Sequence, residues 1–578
     1  MRSAILATLL GLSAASSAST DCEGGGSNGT TPQPTVELDY AAYRGNRNAR
    51  GVDEFLGIRF AAPPVGDLRW RAPVDPAPAA DMQDATEFKA VCVGLGDEVV
   101  AGVTEEDCLF LNVFTPADAE PGAKLPVWVF IQGGGWQNDA NRNYNGTDLI
   151  VRSGHDIVHV NINYRVAQLG FLGGLALGNG GGDYNVGLLD QWKALEWVQK
   201  YIHLVGNPPP TKTSQRQTFS SNPEVQFGGD PEHVVLHGIS AGAGSISHLL
   251  TAYGGTDHGL FAGAIGDAVA WHRGAEPNDT EPYFTMFASQ MGCGAATDQL
   301  ACLRDTDIEK IMTFDRMAPP PPGGPAPGTG MWFEPVIDGD FITGPQQEAF
   351  EAGKFIKVPL MIGDATNEGN SLIPDVNTLE EVKILLQSVA TGLSKDQVDQ
   401  VIEAYDNPRP LPMHGPYFSV AADILGEVGF ICPGNRISTE AAKHVSSEKI
   451  WNYRWNTAEQ SQVDMGLEVW HGSDLIAVFG PGHSGPPPFP IEDFGSSYTA
   501  GGENAAIVPV LQQYYFSFIK HLDPNVQRWE GSPFWENWDT ETGPRLKIQT
   551  NDTVMEGVPA GQIERCGMWR ELNHIIRQ

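Results

Sequence analysis

The chain has 578 residues, 41% hydrophobic and 19% charged, which suits a globular protein with a large buried core. Its 36 Lys and Arg face 71 Asp and Glu, a net charge of −35, and such a surface repels nucleic acid and anionic membranes. The acidity itself is read as a solubility feature, not as substrate steering.

The first residues form a targeting pattern. Met1-Arg2 is a positive start, Ala4 to Leu12 is mostly apolar and too short for an anchor, and small residues follow up to Ala18-Ser19. This predicts a secretory signal over 1–18, cut near Ala18. Residues 19–38, rich in Gly, Ser, Thr and Pro, read as a flexible leader. No later run is apolar and long enough to span a bilayer, so no stable membrane anchor is expected. A secreted chain with seven cysteines implies disulfides with one left over. Cys92/Cys108 and Cys293/Cys302 are close in sequence, Cys432 and Cys566 would close a long loop, and Cys22 in the leader is the odd one, unpaired or intermolecular. Asn28, Asn145, Asn278 and Asn551 stand in Asn-x-Thr sequons and are glycosylation candidates.

From Val52 to Phe60 the residues alternate as in a strand, and a second strand follows Cys108. Lys124–Ile131 is an apolar run without period, as in a strand buried on both faces, and ends in Gln132-Gly-Gly-Gly-Trp136. Asp156–Asn163 repeats that pattern. A helix reads from Asn185 to His203. Strands alternating with helices predict an α/β fold with a doubly wound, mostly parallel sheet, helices on both faces and long loop insertions.

The stretch His233-Val-Val-Leu-His-Gly-Ile-Ser240-Ala-Gly-Ala-Gly-Ser245 concentrates the chemistry. An apolar strand from His233 to His237 stops at Gly238, and a helix begins after Ser240. Glycines at 238 and 242 leave room for a sharp strand-to-helix turn that exposes the Ser240 hydroxyl at a helix N-terminus. The pattern Gly-x-Ser-x-Gly is weak alone in a chain with 67 glycines, so its context decides.

That context resembles the type-B carboxylesterase/lipase family, which includes the cholinesterases and has the α/β-hydrolase fold. The resemblance rests on Phe55-Leu-Gly-Ile-Arg-Phe-Ala-Ala-Pro-Pro-Val-Gly66, Glu106-Asp-Cys-Leu-Phe-Leu-Asn-Val113, Gly133–Gly135, Asn185–Gln191, Phe227-Gly-Gly-Asp-Pro231 and the turn at Ser240. It continues through Pro335–Phe341, Gly363–Gly369 and His471-Gly-Ser-Asp474, covering about Val52 to Arg570. It implies a single catalytic domain over 39–578. It also implies a catalytic Ser240, Glu368 and His471 in the order of α/β-hydrolases, with an oxyanion hole from the amides of Gly134, Gly135 and Ala241. Asp364 is the nearest rival for the acid, but stands at the wrong place in the turn. The family's pairings suggest Cys92–Cys108, Cys293–Cys302 and Cys432–Cys566.

The function this implies is a secreted serine hydrolase that cleaves small-molecule or lipid esters and needs no metal or organic cofactor. The alternatives are a triacylglycerol lipase of the same family and a non-catalytic adhesion module. The chain departs from the family at Ile239, where a Glu is usual, and in the short loop between Cys92 and Cys108, which lacks a Trp. Both favour an esterase over a choline-ester or lid-bearing lipid substrate. Val205–Gln226 is an atypical polar, Pro-rich insert, read as a retained intron or an ordinary surface loop.

Overall fold

The computed structural model describes residues 33–576 apart from 121, 140–143, 205–226, 272–273, 317, 319–332, 391, 406, 485–492 and 541. The signal at 1–18, the sequon at Asn28, Cys22, the insert at 205–226 and the whole Pro- and Gly-rich stretch 319–330 therefore lie outside the described residues.

The frame is an eleven-stranded sheet. Its strands are β1 (Asn46–Arg47), β2 (Val52–Arg59), β3 (Phe110–Pro116), β4 (Leu125–Ile131), β5 (Val158–Ile162), β6 (Gly229–Ile239), β7 (Gly263–Asp267), β8 (Leu360–Ala365), β9 (Ile450–Trp455), β10 (Pro544–Ile548) and β11 (Val554–Gly557). The spatial order is β11-β10-β9-β8-β7-β6-β4-β5-β3-β2-β1. The strands from β5 to β10 in that order are parallel, and the flanks at β3-β2-β1 and β11 run antiparallel. The apolar, period-free strands are the central ones. Val127–Ile131 and Val158–Ile162 are buried throughout because helices cover both faces.

The helices that matter for the site are α1 (Val186–Tyr201), α2 (Ala241–Gly255), α3 (Cys432–His444), α4 (Leu475–Phe479), α5 (Ile507–His521) and α6 (Ala560–Ile576). The helix expected from Asn185 begins one residue later. Asn185 takes a left-handed φ of 55°, and its amide bonds the Val336 carbonyl at 2.8 Å and Asp338 at 2.5 Å. The strand before Ser240 is longer than the apolar run suggested, because Gly229 pairs with Leu125 of β4 across a bulge.

Two motifs of the resemblance form the scaffold. The buried Asp190 takes both Arg165 Nε at 2.8 Å and Nη2 at 2.7 Å, and Glu106 takes Arg69 Nε at 2.5 Å and Nη2 at 2.7 Å. Paired, bidentate geometry is what allows such charges to be buried.

The flexible leader expected over 19–38 ends too late. Thr35–Glu37 is a strand paired with Ala42–Arg44, with Val36 and Leu38 buried. Apolar side chains at alternate positions gain more from burial than the short segment loses in entropy. Gln33–Gln578 clusters as one unit, with a second, smaller core built by residues between Val376 and Cys432 together with α6. Sulfur–sulfur bonds join Cys92 to Cys108, Cys293 to Cys302 and Cys432 to Cys566, the last closing 134 residues and tying α3 to α6.

Candidate active site

Ser240 stands between β6 and α2 at φ 57° and ψ −125°. A non-glycine residue pays strain on the order of 1–3 kcal/mol in such a region, so the surroundings must hold it. Its N–H donates to the Asp267 carbonyl at 2.8 Å, and its carbonyl accepts from Gly244 N at 2.8 Å and Ala270 N at 3.3 Å. The flanking glycines are required by contact. A Cβ at Gly242 would lie 2.1 Å from the Ile131 carbonyl oxygen, and one at Gly238 would lie 2.6 Å from the Gly242 backbone. The turn is as tight as it is because β4 ends directly beneath it.

The loop after β4 lies against this turn. A Cβ at Gly133 would come 3.0 Å from Ser240 Cβ. Gly134 and Gly135 have φ of 110° and 62°, and the Gly134 carbonyl is turned back by Gln137 N at 2.9 Å and Asn138 N at 3.1 Å. The Trp136 indole donates to Ser245 Oγ at 3.0 Å, and Gln191 Nε2 donates to the same oxygen at 3.1 Å, fastening the loop to α2 and α1. The amides of Gly134, Gly135 and Ala241 donate to no other described residue. Ala241 is the first helical residue, so its N–H has no intrahelical acceptor.

Glu368 opens the short 3₁₀ turn Glu368–Ser371 after β8 and is 1% exposed. Its Oε1 accepts from Ala365 N at 2.5 Å and its Oε2 meets His471 Nδ1 at 2.5 Å. The two loops are stitched by backbone contacts. Asn367 N donates to the Val469 carbonyl at 2.9 Å, and Val469 N donates to Asn367 Oδ1 at 3.3 Å. Phe430 packs on the imidazole with ring centroids 4.5 Å apart. Behind Glu368 is a polar cavity of about 260 Å³ lined by Arg409, Asp423, Glu427 and Arg565.

Among the described residues no hydrogen bond joins the Ser240 hydroxyl to His471. The two loops nevertheless adjoin, since a Cβ at Gly472 would stand 4.0 Å from Ile239 Cγ1. Nucleophile–base bonds are commonly long in unliganded enzymes and tighten with substrate. Asp364, the rival acid, is buried within β8 and its Oδ1 has no partner among the described residues. Burial drives its carboxyl up to about 7.

The sequons at Asn278 and Asn551 are exposed. Asn145 is half-buried and its Oδ1 accepts from Thr147 N at 2.8 Å. Among the described residues no group of His, Cys, Asp and Glu is arranged to hold a metal.

Sequence reasoning did not single out Phe430, Trp136 or Asn367 for roles at the site. Trp136 and Gln191 fell within quoted motifs, and a buried polar side chain in a motif is the one signal that marks such a partner. Phe430 carries none, because a tilted ring contact across 41 residues of chain leaves no local pattern.

A parallel sheet with a strained serine at a strand-to-helix turn, faced by a histidine–carboxylate pair from later loops, defines the α/β-hydrolase class. The sequence model described as "Carboxylesterase family" matches residues 32–211 and 225–566. Lipase 2 of Geotrichum candidum is 30% identical over 561 residues, spanning 87% of this chain and 89% of its own. The secreted triacylglycerol lipase LIP1 of Gibberella zeae is 29% identical over 542 residues, spanning 84% and 82%. The crystal structure of Aspergillus niger EstA is 40% identical with a TM-score of 0.85, covering 94% of this chain and 99% of that one. The chain belongs to the carboxylesterase family, and it is a carboxylic ester hydrolase.

Proposed function

We propose that the protein is a secreted serine esterase that works through Ser240, His471 and Glu368 and an acyl-enzyme intermediate. The observation that carries this reading is the His471–Glu368 contact of 2.5 Å beside the strained Ser240 turn. His471 takes the proton from Ser240 as its Oγ attacks the ester carbonyl. Glu368 holds the Nδ1–H tautomer and stabilises the imidazolium that forms. The amides of Gly134, Gly135 and Ala241 take up the negative charge on the tetrahedral oxygen. His471 then protonates the leaving alcohol, and water repeats the sequence on the acyl-enzyme.

An esterase is preferred to the lipase reading, although several relatives carry that name. The Cys92–Cys108 loop is short and folded on itself, with Val91 paired to Thr104 and Cys92 to Glu105. Such a hairpin-sized element has little surface to cover a broad lipid-binding mouth. The buried Ile239 supplies no carboxylate to hold a cationic alcohol. Retention of Ser240, Glu368 and His471 argues against an adhesion module. Secretion is supported by the three disulfides, by the secreted relative in Gibberella zeae and by the N-terminal pattern. Among the described residues no helix is long and apolar enough to cross a membrane. A Ser240→Ala variant assayed on short- and long-acyl esters tests the reading. Unchanged hydrolysis sinks the mechanism, and a preference of the parent enzyme for emulsified long-acyl glycerides restores the lipase.

The catalytic domain of this proposal omits Val205–Gln226, taken as a retained intron. The family match skips 212–224, inside that segment. Its flanks already meet, with Gly229 N donating to the Ile202 carbonyl at 3.0 Å, so Leu204 and Phe227 can be joined without moving α1 or β6. A spliced transcript that still carries these codons refutes this.

A further inference from the structure

Beneath the site lies a polar cluster that the reaction above does not use. It comprises His237 on β6, Asp267 at the end of β7, Tyr453 on β9, Asp474 three residues after His471, and Tyr515 on α5, all buried. Asp267 receives most of the contacts. Its Oδ2 meets His237 Nε2 at 2.7 Å, its Oδ1 meets the Tyr453 hydroxyl at 2.7 Å, and the Tyr515 hydroxyl is 2.9 Å from both oxygens. The Tyr453 hydroxyl is also 2.9 Å from Asp474 Oδ2 and 2.9 Å from the Tyr515 hydroxyl.

The hydrogens can be counted. His237 Nδ1 is buried and has no partner among the described residues, which leaves the ring hydrogen on Nε2, facing Asp267. The single Tyr515 hydrogen is shared between the Asp267 carboxylate and the Tyr453 hydroxyl, all 2.9 Å away, so Tyr515 has none to give Asp474. The single Tyr453 hydrogen goes to the shorter contact, Asp267. The Tyr453–Asp474 contact then joins two oxygens with no hydrogen between them, which is repulsive in a buried site unless Asp474 supplies one.

We propose that Asp474 is held protonated and donates to Tyr453, which donates to the ionised Asp267, and that this relay is a positioning clamp between the base loop and the nucleophile turn. Asp267 is joined to both sides, because its carbonyl takes the Ser240 N–H while its carboxylate, through Tyr453, holds the turn that starts α4 behind His471. Two carboxyls sharing one buried donor cannot both ionise cheaply. The groups facing Asp474 support the neutral form. Burial pushes the Asp474 carboxyl well above its ordinary range, Asp267 and Glu368 are carboxylate neighbours that raise it further, and Tyr144, Tyr453, Tyr498 and Tyr515 are buried phenols around it. A neutral Asp474 leaves Glu368 as the charged carboxylate that bonds His471.

The proposal rests on the reading of Ser240 and His471 given above, and its test separates the two. Asp474→Asn retains a neutral donor and is expected to keep kcat/KM within about threefold, whereas Asp474→Ala lowers kcat about tenfold with little change in KM. Asp267→Asn, which loses an acceptor for three donors, is expected to cost about 100-fold in kcat. Infrared spectra at about pH 8 need no turnover, and the C=O band of a protonated carboxyl is expected to vanish in Asp474→Asn and persist in Asp364→Asn. A band that survives in Asp474→Asn overturns the proposal, as does an Asp474→Asn enzyme as impaired as Asp474→Ala. A failure of Ser240→Ala to abolish hydrolysis would overturn the active-site reading and leave the infrared result standing.

Discussion

The Ser240 turn and the loops carrying Glu368 and His471, the proposed nucleophile and acid–base pair, are held in place by different physics. Ser240 is placed by backbone alone: a strand end, a helix start, and glycines at 238 and 242 that let the main chain approach Ile131 within van der Waals limits. Glu368 and His471 are placed by long-range side-chain and loop contacts, with Asn367 stitched to Val469 and Phe430 packed at a tilt against the ring. The first construction is rigid and local. The second depends on partners scattered over the chain, so it should tolerate single changes in stability terms while being sensitive in rate.

The comparison is broken most strongly at its shared end. Ser240→Ala is expected to lower kcat/KM about 10⁴-fold or more with an unaltered melting curve, since only the nucleophilic oxygen is removed. Glu368→Gln should lower kcat about 10³-fold at nearly unchanged KM, because the amide can present its N–H₂ to His471 and favour the wrong tautomer. A single-turnover assay on an activated ester checks both. Gly242→Ala attacks the local construction. The added methyl meets the Ile131 carbonyl, so we expect about 1–3 kcal/mol of lost stability and about a 100-fold loss of kcat together, read by denaturant titration and kinetics on the same sample.

Smaller effects sharpen the contrast. Replacing Cys432 and Cys566 together by Ser frees a loop of 134 residues and should cost about 2–4 kcal/mol in stability, while kcat/KM stays near that of the parent. A large kinetic loss would mean that α3 and α6 help to hold Glu368. The smallest effect concerns the rival acid. Asp364 has its carboxyl raised from 3.8 to about 7 by burial, so the folded state holds a proton that the unfolded chain releases between those values. Its contribution to stability is therefore full below pH 4 and is lost as pH rises toward 7. Asp364→Asn should remove that slope, raising the melting temperature at pH 8 relative to the parent and leaving hydrolysis intact. An unchanged pH profile of melting would show that Asp364 is ionised in the fold.

Much was legible in the sequence because local chemistry carried it. Val127–Ile131 and Val158–Ile162 announce central strands, since parallel strands covered on both faces lose their polar positions. Gly238, Ser240 and Gly242 announce the turn, because only glycine permits so close an approach. Glu368 and His471 were legible only through ordered motifs, as neither residue type alone says which partner it will meet. The tertiary structure decided the rest. Asp267, Tyr453, Asp474 and Tyr515 lie on β7, β9, a loop and α5, and no spacing along the chain links them. The strand at Thr35–Glu37 also escaped notice, because its pairing with Ala42–Arg44 overrides a composition that reads as flexible. Sequence patterns record interactions within a few residues or repeated at a fixed period. A buried polar network satisfies its hydrogen bonds across sheet and helices, and so becomes determinate only once the chain has folded.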